Sequence, residues 1–174
     1  MKMKLAASAI IKAEKRGEIA ITPFIERNVN GCTVDLRLSA NFRRYELKGG
    51  RPLELREDFD YAKFTRPFTV DGKRGIEIPP GGTVLAQTIE RVTLPRNIAG
   101  TIEGRSRFAR AFLEVHSTAS TIHPGSDNVQ VLEIINNNRV PVILYPGHRI
   151  CQVSFQRLEG AGNYRGDFKR QKRV

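Results

Sequence analysis

Two short stretches of this 174-residue sequence hold side-chain types whose spacing has chemical meaning. The first is Gly104-Arg105-Ser106-Arg107-Phe108-Ala109-Arg110. A glycine closes a strand-like run at 101–103, and the residues after it can form a short helix with Ser106 near its start. Free N–H groups at a helix start carry partial positive charge and suit a phosphate. Arg105, Arg107 and Arg110 add guanidinium forks that match phosphate oxygens, although such a turn is also commonly just solvated. The second stretch is Val129-Gln130-Val131-Leu132-Glu133-Ile134-Ile135. Strand alternation puts Val129, Val131, Glu133 and Ile135 on one face, and Gln130, Leu132 and Ile134 on the other. Glu133 therefore stands in an apolar row, where a carboxylate either pairs with a cation or has its pKa raised by desolvation. Both situations recur where a carboxylate transfers protons. Both also occur in a structural ion pair, or on a rim strand wet on both faces.

Metal-binding residues are sparse. Cys32 and Cys151 lie 119 residues apart without a C-x-x-C motif, and the histidines are His116, His123 and His148. A zinc site needs three or four thiolate or imidazole ligands. Hydrolytic chemistry in this chain is therefore expected to run without zinc. Single histidines in β-rich chains are more often hydrogen-bonded structural residues than catalytic ones.

The elements that must position these residues are mostly strands. Leu5, Ala6, Ala9, Ile10 and Ala13 fall at helical spacing and Gly17 ends the pattern, which predicts one short N-terminal helix. From Gly31 onward the chain reads as short strands: 34–38, 42–47, 76–78, 83–94, 100–103, 115–118, 129–136, 140–144 and 150–158. The breaks fall at 49–52, 79–82, 124–125 and 146–147, all rich in Gly and Pro. Residues 56–75 have no clear period and are expected to form a loop. Many short strands at this spacing predict a mainly β sandwich, barrel or jelly roll, with residues 1–174 in a single domain.

Composition sets the remaining bounds. With 40% hydrophobic and 27% charged residues the chain can bury a core, which excludes a disordered polypeptide. No apolar run nears the roughly 20 residues of a membrane-spanning helix. Lys2 and Lys4 precede a short apolar run that leads directly into Lys12, Glu14, Lys15 and Arg16, without a cleavage site. A cytoplasmic protein with no membrane partner is expected. The formal charge of +11 points to an anionic partner, and Arg165, Lys169, Arg170, Lys172 and Arg173 in the tail supply much of it. With no Trp and 7% aromatic residues, the chain lacks the aromatic interleaving of nucleic-acid readers. A small phosphorylated ligand explains the charge at least as well, and a nucleic-acid partner is not expected.

Taken in order, the motifs resemble those of the dCTP deaminase family within the dUTPase-like superfamily. Gly31-Cys32-Thr33-Val34-Asp35-Leu36-Arg37-Leu38 resembles the family's G-x-x-x-D-L-R-L strand, and Glu90-Arg91-Val92-Thr93-Leu94-Pro95 its E-x-V-x-L-P. Gly104 to Arg110 is similar to G-R-S-S-x-A-R, and His116-Ser117-Thr118-Ala119 to H-x-T-A. Ile122-His123-Pro124-Gly125 is similar to the start of I-D-x-G-(aromatic)-x-G, and Val131-Leu132-Glu133 to the strand ending in L-E. Residues 138–150 resemble N-x-x-P-x-x-L-x-P-G-x-x-I.

The resemblance implies a distorted β-barrel or jelly roll and a homotrimer with active sites between subunits. It also implies a nucleotide triphosphate bound with Mg2+, and zinc-independent hydrolytic deamination of dCTP to dUTP and ammonia. Carried over by residue, Glu133 would be the general acid/base. Ser106 and the Ala119 carbonyl would position water, and Arg110 would hold the carboxylate. Arg105, Ser106, Arg107, Phe108, Ala109 and Arg110 would line the phosphate side. Val131 and Leu132 would supply backbone contacts to the base. Tyr164 and Gln171 would belong to a C-terminal closing segment at about 159–174.

Several positions depart from the pattern. His123 stands where the family has an aspartate that contacts the deoxyribose, which argues against dUTPase activity. Arg107 replaces a serine, Ser126 an aromatic residue and Asn128 a glycine. Asp167 falls where a phosphate-binding lysine often sits, and Lys172 where a glycine is expected. The alternatives are a dUTPase or bifunctional dUMP-forming deaminase, and a non-catalytic relative that binds nucleotide or nucleic acid.

Overall fold

A computed structural model describes residues 3–46, 49 and 52–174. Leu47, at the end of the expected 42–47 strand, lies outside the described residues, as do Gly50 and Arg51 of the expected 49–52 turn. The strands in chain order are β1 (Met3–Lys4), β2 (Ala20–Thr22), β3 (Val29–Asn30), β4 (Thr33–Tyr45), β5 (Thr65–Thr69), β6 (Ile76–Ile78) and β7 (Thr83–Thr93). They continue with β8 (Ile98–Gly104), β9 (Leu113–Glu114), β10 (Thr121–Ile122), β11 (Asp127–Asn136), β12 (Val142–Leu144) and β13 (Arg149–Arg157). The helices are α1 (Ala7–Lys15) and the single turn α2 (Ser106–Ala109). No helix among them is long and apolar enough to cross a membrane.

The expected mainly β fold is present. Eleven strands form one antiparallel sheet in the order β10-β8-β13-β4-β7-β11-β9, with β1 on β13, β2 on β7, and β3 and β5 on β4. β6 and β12 make a separate ribbon. The sheet curls about β4. Its first half pairs with β13 at Thr33 to Arg37, and its second half pairs with β7 and β5 from Leu38 onward. The register against β7 shifts between Leu38 and Phe42, where the strand turns the corner. Such irregularities bend a sheet without breaking it. The two halves enclose Leu36, Phe42, Ile98, Leu132, Ile134 and Phe155, all fully buried. α1 packs Ile10 and Ala13 against this core, and Gly17 leaves the helix at φ +67°, a backbone region that glycine enters without strain.

The expected loop at 56–75 contains a 3₁₀ turn (Tyr61–Phe64) followed by β5. β5 hides from sequence reading because Pro67 and exposed Arg66 interrupt its apolar pattern. Both are tolerated because, among the described residues, β5 pairs only with β4, at the sheet edge. The expected 115–118 strand is not formed: the strand β9 lies just before it, at Leu113–Glu114, and residues 115–118 are a bend whose Ser117 N–H turns to the Glu133 carboxylate instead of a strand partner.

Candidate active site

Glu133 lies at the middle of β11, opposite Leu85 of β7. Alternation holds from Val131 to Asn136: Leu132 and Ile134 are fully buried on the core face, while Val131, Glu133 and Ile135 are half-buried on the other. The expected apolar row is present beside Glu133 as Val131 and Ile135, while a register shift between Val129 and Val131 takes Val129 out of it. A carboxylate there is neither sealed in the core nor free in solvent. Its Oε2 accepts a hydrogen bond from the backbone N–H of Ser117 at 3.2 Å. The side chain lines a cavity of about 700 Å³ whose walls include Tyr45, Phe59, Leu85, Ala119 and Ile135. Ala119 and Glu133 thus meet at one site, reached from β11 and from the bend that follows β9.

The backbone next to Glu133 is also open. β9 covers β11 only at Ile135 and Asn136, so the edge of Val131–Glu133 away from β7 has no strand partner among the described residues. Unpaired N–H and C=O groups on such an edge can read the polar rim of a planar ligand. Leu132 points its side chain into the core, so any ligand contact it makes runs through its backbone.

The arginine-rich segment lies elsewhere in the chain. Ser106, Arg107, Ala109 and Arg110 are exposed on and just after α2. Phe108 is half-buried and packs against the core. Arg105 donates from Nη2 to Asp35 Oδ2 at 3.0 Å and from Nη1 to the Arg149 carbonyl at 3.1 Å. Arg149 Nη1 reaches the same Asp35 oxygen at 3.2 Å. Arg105, Arg107 and Phe108 line a second cavity of about 570 Å³, which shares no lining residue with the first. No hydrogen bond or ion pair joins Ser106 or Arg110 to Glu133 among the described residues. The Phe112 carbonyl, just past Arg110, accepts from the Asn137 N–H. Asn137 is four residues along the strand from Glu133, roughly 13 Å at strand rise. The arginine on the Glu133 cavity wall is Arg56, which pairs with Glu54.

His123 stacks on Tyr164 with ring centroids 4.6 Å apart and planes 8° from parallel. This stack is one of several ties that hold the C-terminal segment against the barrel. The Tyr164 N–H donates to the Pro124 carbonyl at 3.0 Å, and Asn128 Nδ2 donates to the Phe168 carbonyl at 2.8 Å. The Val129 N–H donates to the Gln171 carbonyl at 3.1 Å, and Gln171 Nε2 to the Tyr61 hydroxyl at 2.9 Å. Tyr164, Gln171 and His123 are thereby gathered beside the first residues of β11. Ser126, where the family pattern has an aromatic residue, is buried, and its Oγ donates to the His123 carbonyl at 2.6 Å. Asp127 is a nearby carboxylate, but Arg91 holds it through two side-chain bonds of 2.6 and 2.8 Å and Thr93 through a third. The Arg91 hydrogen bond, with help from Thr93, holds the Asp127 carboxyl below its ordinary range against the opposing effect of burial.

Among the described residues, no three His, Cys, Asp or Glu side chains are grouped to hold a metal ion. Asp35, the carboxylate behind the arginine cavity, is already shared by two guanidiniums. Among the described residues, the magnesium implied by the resemblance thus has no protein-built seat. Burial pushes the Cys151 thiol far above its ordinary range, which suits a packing residue. His116 Nδ1 is buried without a hydrogen-bond partner among the described residues.

Sequence reading missed several residues around these cavities. Tyr45 and Phe59 come from long-range folding and carry no local signal. Asp35 and Arg37 had one, since charges at i and i+2 on a strand face the same side.

The curled sheet is similar to that of 2′-deoxycytidine 5′-triphosphate deaminase from Agrobacterium tumefaciens. The TM-score is 0.71 at 18% identity, covering 90% of this chain, and the chain spans about half (49%) of that one. Residues 4–158 match the family model described as dCTP deaminase-like, and the chain belongs to that family. A relative named dCTP deaminase from Marinomonas sp. (strain MWYL1) is 37% identical over 168 residues, 92% of this chain and 87% of that one. Another, named dCTP deaminase, dUMP-forming, from Methanosphaera stadtmanae is 34% identical over 155 residues, 88% of this chain and 79% of that one.

Proposed function

We propose that this chain deaminates dCTP hydrolytically to dUTP and ammonia, with Glu133 as general acid/base. The observation that carries the reading is Glu133 on the wall of an apolar cavity beside Ala119, next to an unpaired stretch of β11 backbone. A water held by the Ala119 carbonyl loses a proton to Glu133 as its oxygen attacks C4 of the cytosine. Glu133 passes that proton to ring N3, giving a tetrahedral intermediate. It then takes the remaining hydroxyl proton and delivers it to the amino nitrogen, which leaves as ammonia. One water enters, one ammonia departs, and Glu133 ends as it began. Apolar walls strengthen each of these hydrogen bonds by excluding competing water.

Ser106 and Arg110 act in this scheme from a second copy of the chain, since within one chain they stand apart from Glu133. Their exposure supports that arrangement, and a homotrimer is the assembly proposed. Arg110 would hold the Glu133 carboxylate in place, and Arg105 to Arg107 would face the phosphates. Val131 and Leu132 would contact the base through their backbones, and Tyr164 and Gln171 would close over the nucleotide. Magnesium would arrive with the triphosphate.

The dUMP-forming relative raises a second reading, in which pyrophosphate is also released. His123 in place of a carboxylate, with Asp127 committed to Arg91, weighs against it. Incubation with magnesium and dCTP, CTP, dCMP or dUTP separates the readings by ammonia and pyrophosphate. Ammonia from dCTP and no pyrophosphate from dUTP is expected. Pyrophosphate from dUTP would overturn the assignment of His123. DNA binding without turnover of any cytidine nucleotide would overturn the enzyme.

A further inference from the structure

We infer that Tyr61 is a positioning residue for the Glu133 site: it clasps the segment 164–174 over the face of β11 that carries Glu133, and so governs how long a bound nucleotide stays. The inference rests on the proposed nucleotide substrate, and it adds a residue from the 56–75 loop that none of the motifs contains. Contacts from three parts of the chain hold the segment. Gln171 Nε2 donates to the Tyr61 hydroxyl at 2.9 Å, and the Tyr61 ring lies 6.4 Å from that of Phe168, tilted by 41°. The Val129 N–H donates to the Gln171 carbonyl at 3.1 Å, just before the unpaired Val131–Glu133 edge. Beyond Gln171 the chain crosses to β7, where the Val174 N–H donates to Gln87 Oε1 at 2.6 Å. Gln87 is paired with Val131, and Leu85, two residues along β7, is paired with Glu133. Paired side chains share a face, so residues 171–174 run over the face from which Glu133 projects.

Tyr61 is the fixed half of this clasp. Its carbonyl accepts from Thr65 Oγ1 at 2.9 Å, and Thr65 Oγ1 in turn accepts from Arg43 Nε at 2.7 Å. The Arg43 guanidinium, on β4, also lies 5.9 Å from the Tyr61 ring centroid, where a cation is attracted to the ring face. Asp60 caps the turn by accepting from the Ala62 N–H at 3.0 Å. Two residues before Tyr61, Phe59 lines the Glu133 cavity, so one short loop both walls the cavity and holds the segment that covers it. The segment is the movable half. Its own secondary structure is a single 3₁₀ turn (Asp167–Arg170), and Arg165, Arg170, Lys172 and Arg173 are exposed along it. A segment with so few buried contacts opens at low free energy, so one clasp bond shifts its shut and open populations. A weaker clasp leaves the cavity open for more of the time and lets nucleotide escape, without touching the proton-transferring carboxylate.

Tyr61→Phe removes the hydroxyl and keeps the ring, and Tyr61→Ala removes both. Tyr145→Phe is the control, since Tyr145 lines neither cavity. Amide hydrogen exchange of the nucleotide-free chain, read by mass spectrometry on the peptide covering 164–174, follows the clasp directly. Loss of one hydrogen bond should speed exchange there by about fivefold in Tyr61→Phe, and by more in Tyr61→Ala. Tyr145→Phe should match the unmodified chain. KM for dCTP should rise in Tyr61→Phe by a similar factor, with kcat little changed and the thermal midpoint unmoved. Unaltered exchange in both Tyr61 variants would overturn the inference, as would equally fast exchange in the Tyr145→Phe control. Faster exchange with an unaltered KM, or a loss confined to kcat, would overturn it as well. A lower KM in Tyr61→Phe would also overturn it, in favour of a segment that blocks the site until displaced. Exchange is read without substrate, so a chain that turns over no cytidine nucleotide and still shows the Tyr61 effect would fault the deaminase reading and leave the clasp standing.

Discussion

Replacing Arg37 with methionine leaves the Glu90 carboxylate nearly alone inside the protein. Glu90 is 2% exposed, and its charge is answered by two bonds from one residue: the Arg37 backbone N–H at 2.7 Å and the Arg37 Nε at 2.6 Å. The backbone bond survives the substitution and the guanidinium does not. Stranding one partner of a buried pair costs about 3–5 kcal/mol, about a fifth or more of a typical domain's 5–15 kcal/mol. Glu90→Gln keeps an acceptor for the backbone N–H and leaves Arg37, whose side chain is 24% exposed, able to find water. Its cost should be about 1–2 kcal/mol. Replacing both, Arg37→Met with Glu90→Gln, removes the buried charge, keeps the acceptor for the backbone N–H, and should cost no more than about 1–2 kcal/mol relative to the original chain. The pair is therefore expected to show a coupling energy of about 3 kcal/mol or more. Urea unfolding followed by circular dichroism at one fixed protomer concentration measures the cycle, since association would otherwise shift the midpoints. An Arg37→Met cost below about 1 kcal/mol, or a double variant as unstable as the summed singles, would refute the reasoning.

Asp127 should make stability sensitive to acid. Its folded-state pKa is depressed by Arg91 and Thr93, so the contribution is fully present above the unfolded carboxyl value of about 4 and is lost as pH falls through the lower folded value. The Asp127 side chain is 40% exposed, so the gap in stability between the original chain and Asp127→Asn should be under about 1 kcal/mol at pH 7 and close below pH 4. A gap that widens in acid would contradict this. Phe112 is the one non-glycine residue with positive φ among the described residues, at 55°, and is 67% exposed. A left-handed backbone costs about 1–2 kcal/mol, and glycine gives back about half of that gain in unfolded-state entropy. Phe112→Gly should therefore raise the unfolding midpoint by a few degrees, and a lower midpoint would show that the exposed ring makes contacts worth more than the strain.

What could be read from the sequence followed from periodicity and punctuation. The Leu5 to Ala13 spacing yields α1, and period-two alternation yields the first half of β4 at 34–38 and most of β11, because each has one face in the core. Glu133 was legible for the same reason, as a charge in an apolar row. β5 was not legible, because an edge strand tolerates Pro67 and gives no alternation to read. Nor was the arginine cavity. Arg27, Arg37, Arg105 and Arg149 are spread over more than a hundred residues, and only the curl of the sheet about β4 brings them together. The separation of Arg110 from Glu133 was equally hidden, since motif order says nothing about whether two motifs meet in one chain or across two.

The most direct test of the account is ammonia release from dCTP by the Glu133→Gln variant, with circular dichroism confirming that the variant folds. Glutamine keeps the acceptor for the Ser117 N–H and the shape of the cavity, but it cannot shuttle a proton. The account predicts deamination by the original chain and a loss of about 100-fold or more in kcat for the variant. Ammonia release undiminished in Glu133→Gln would contradict it.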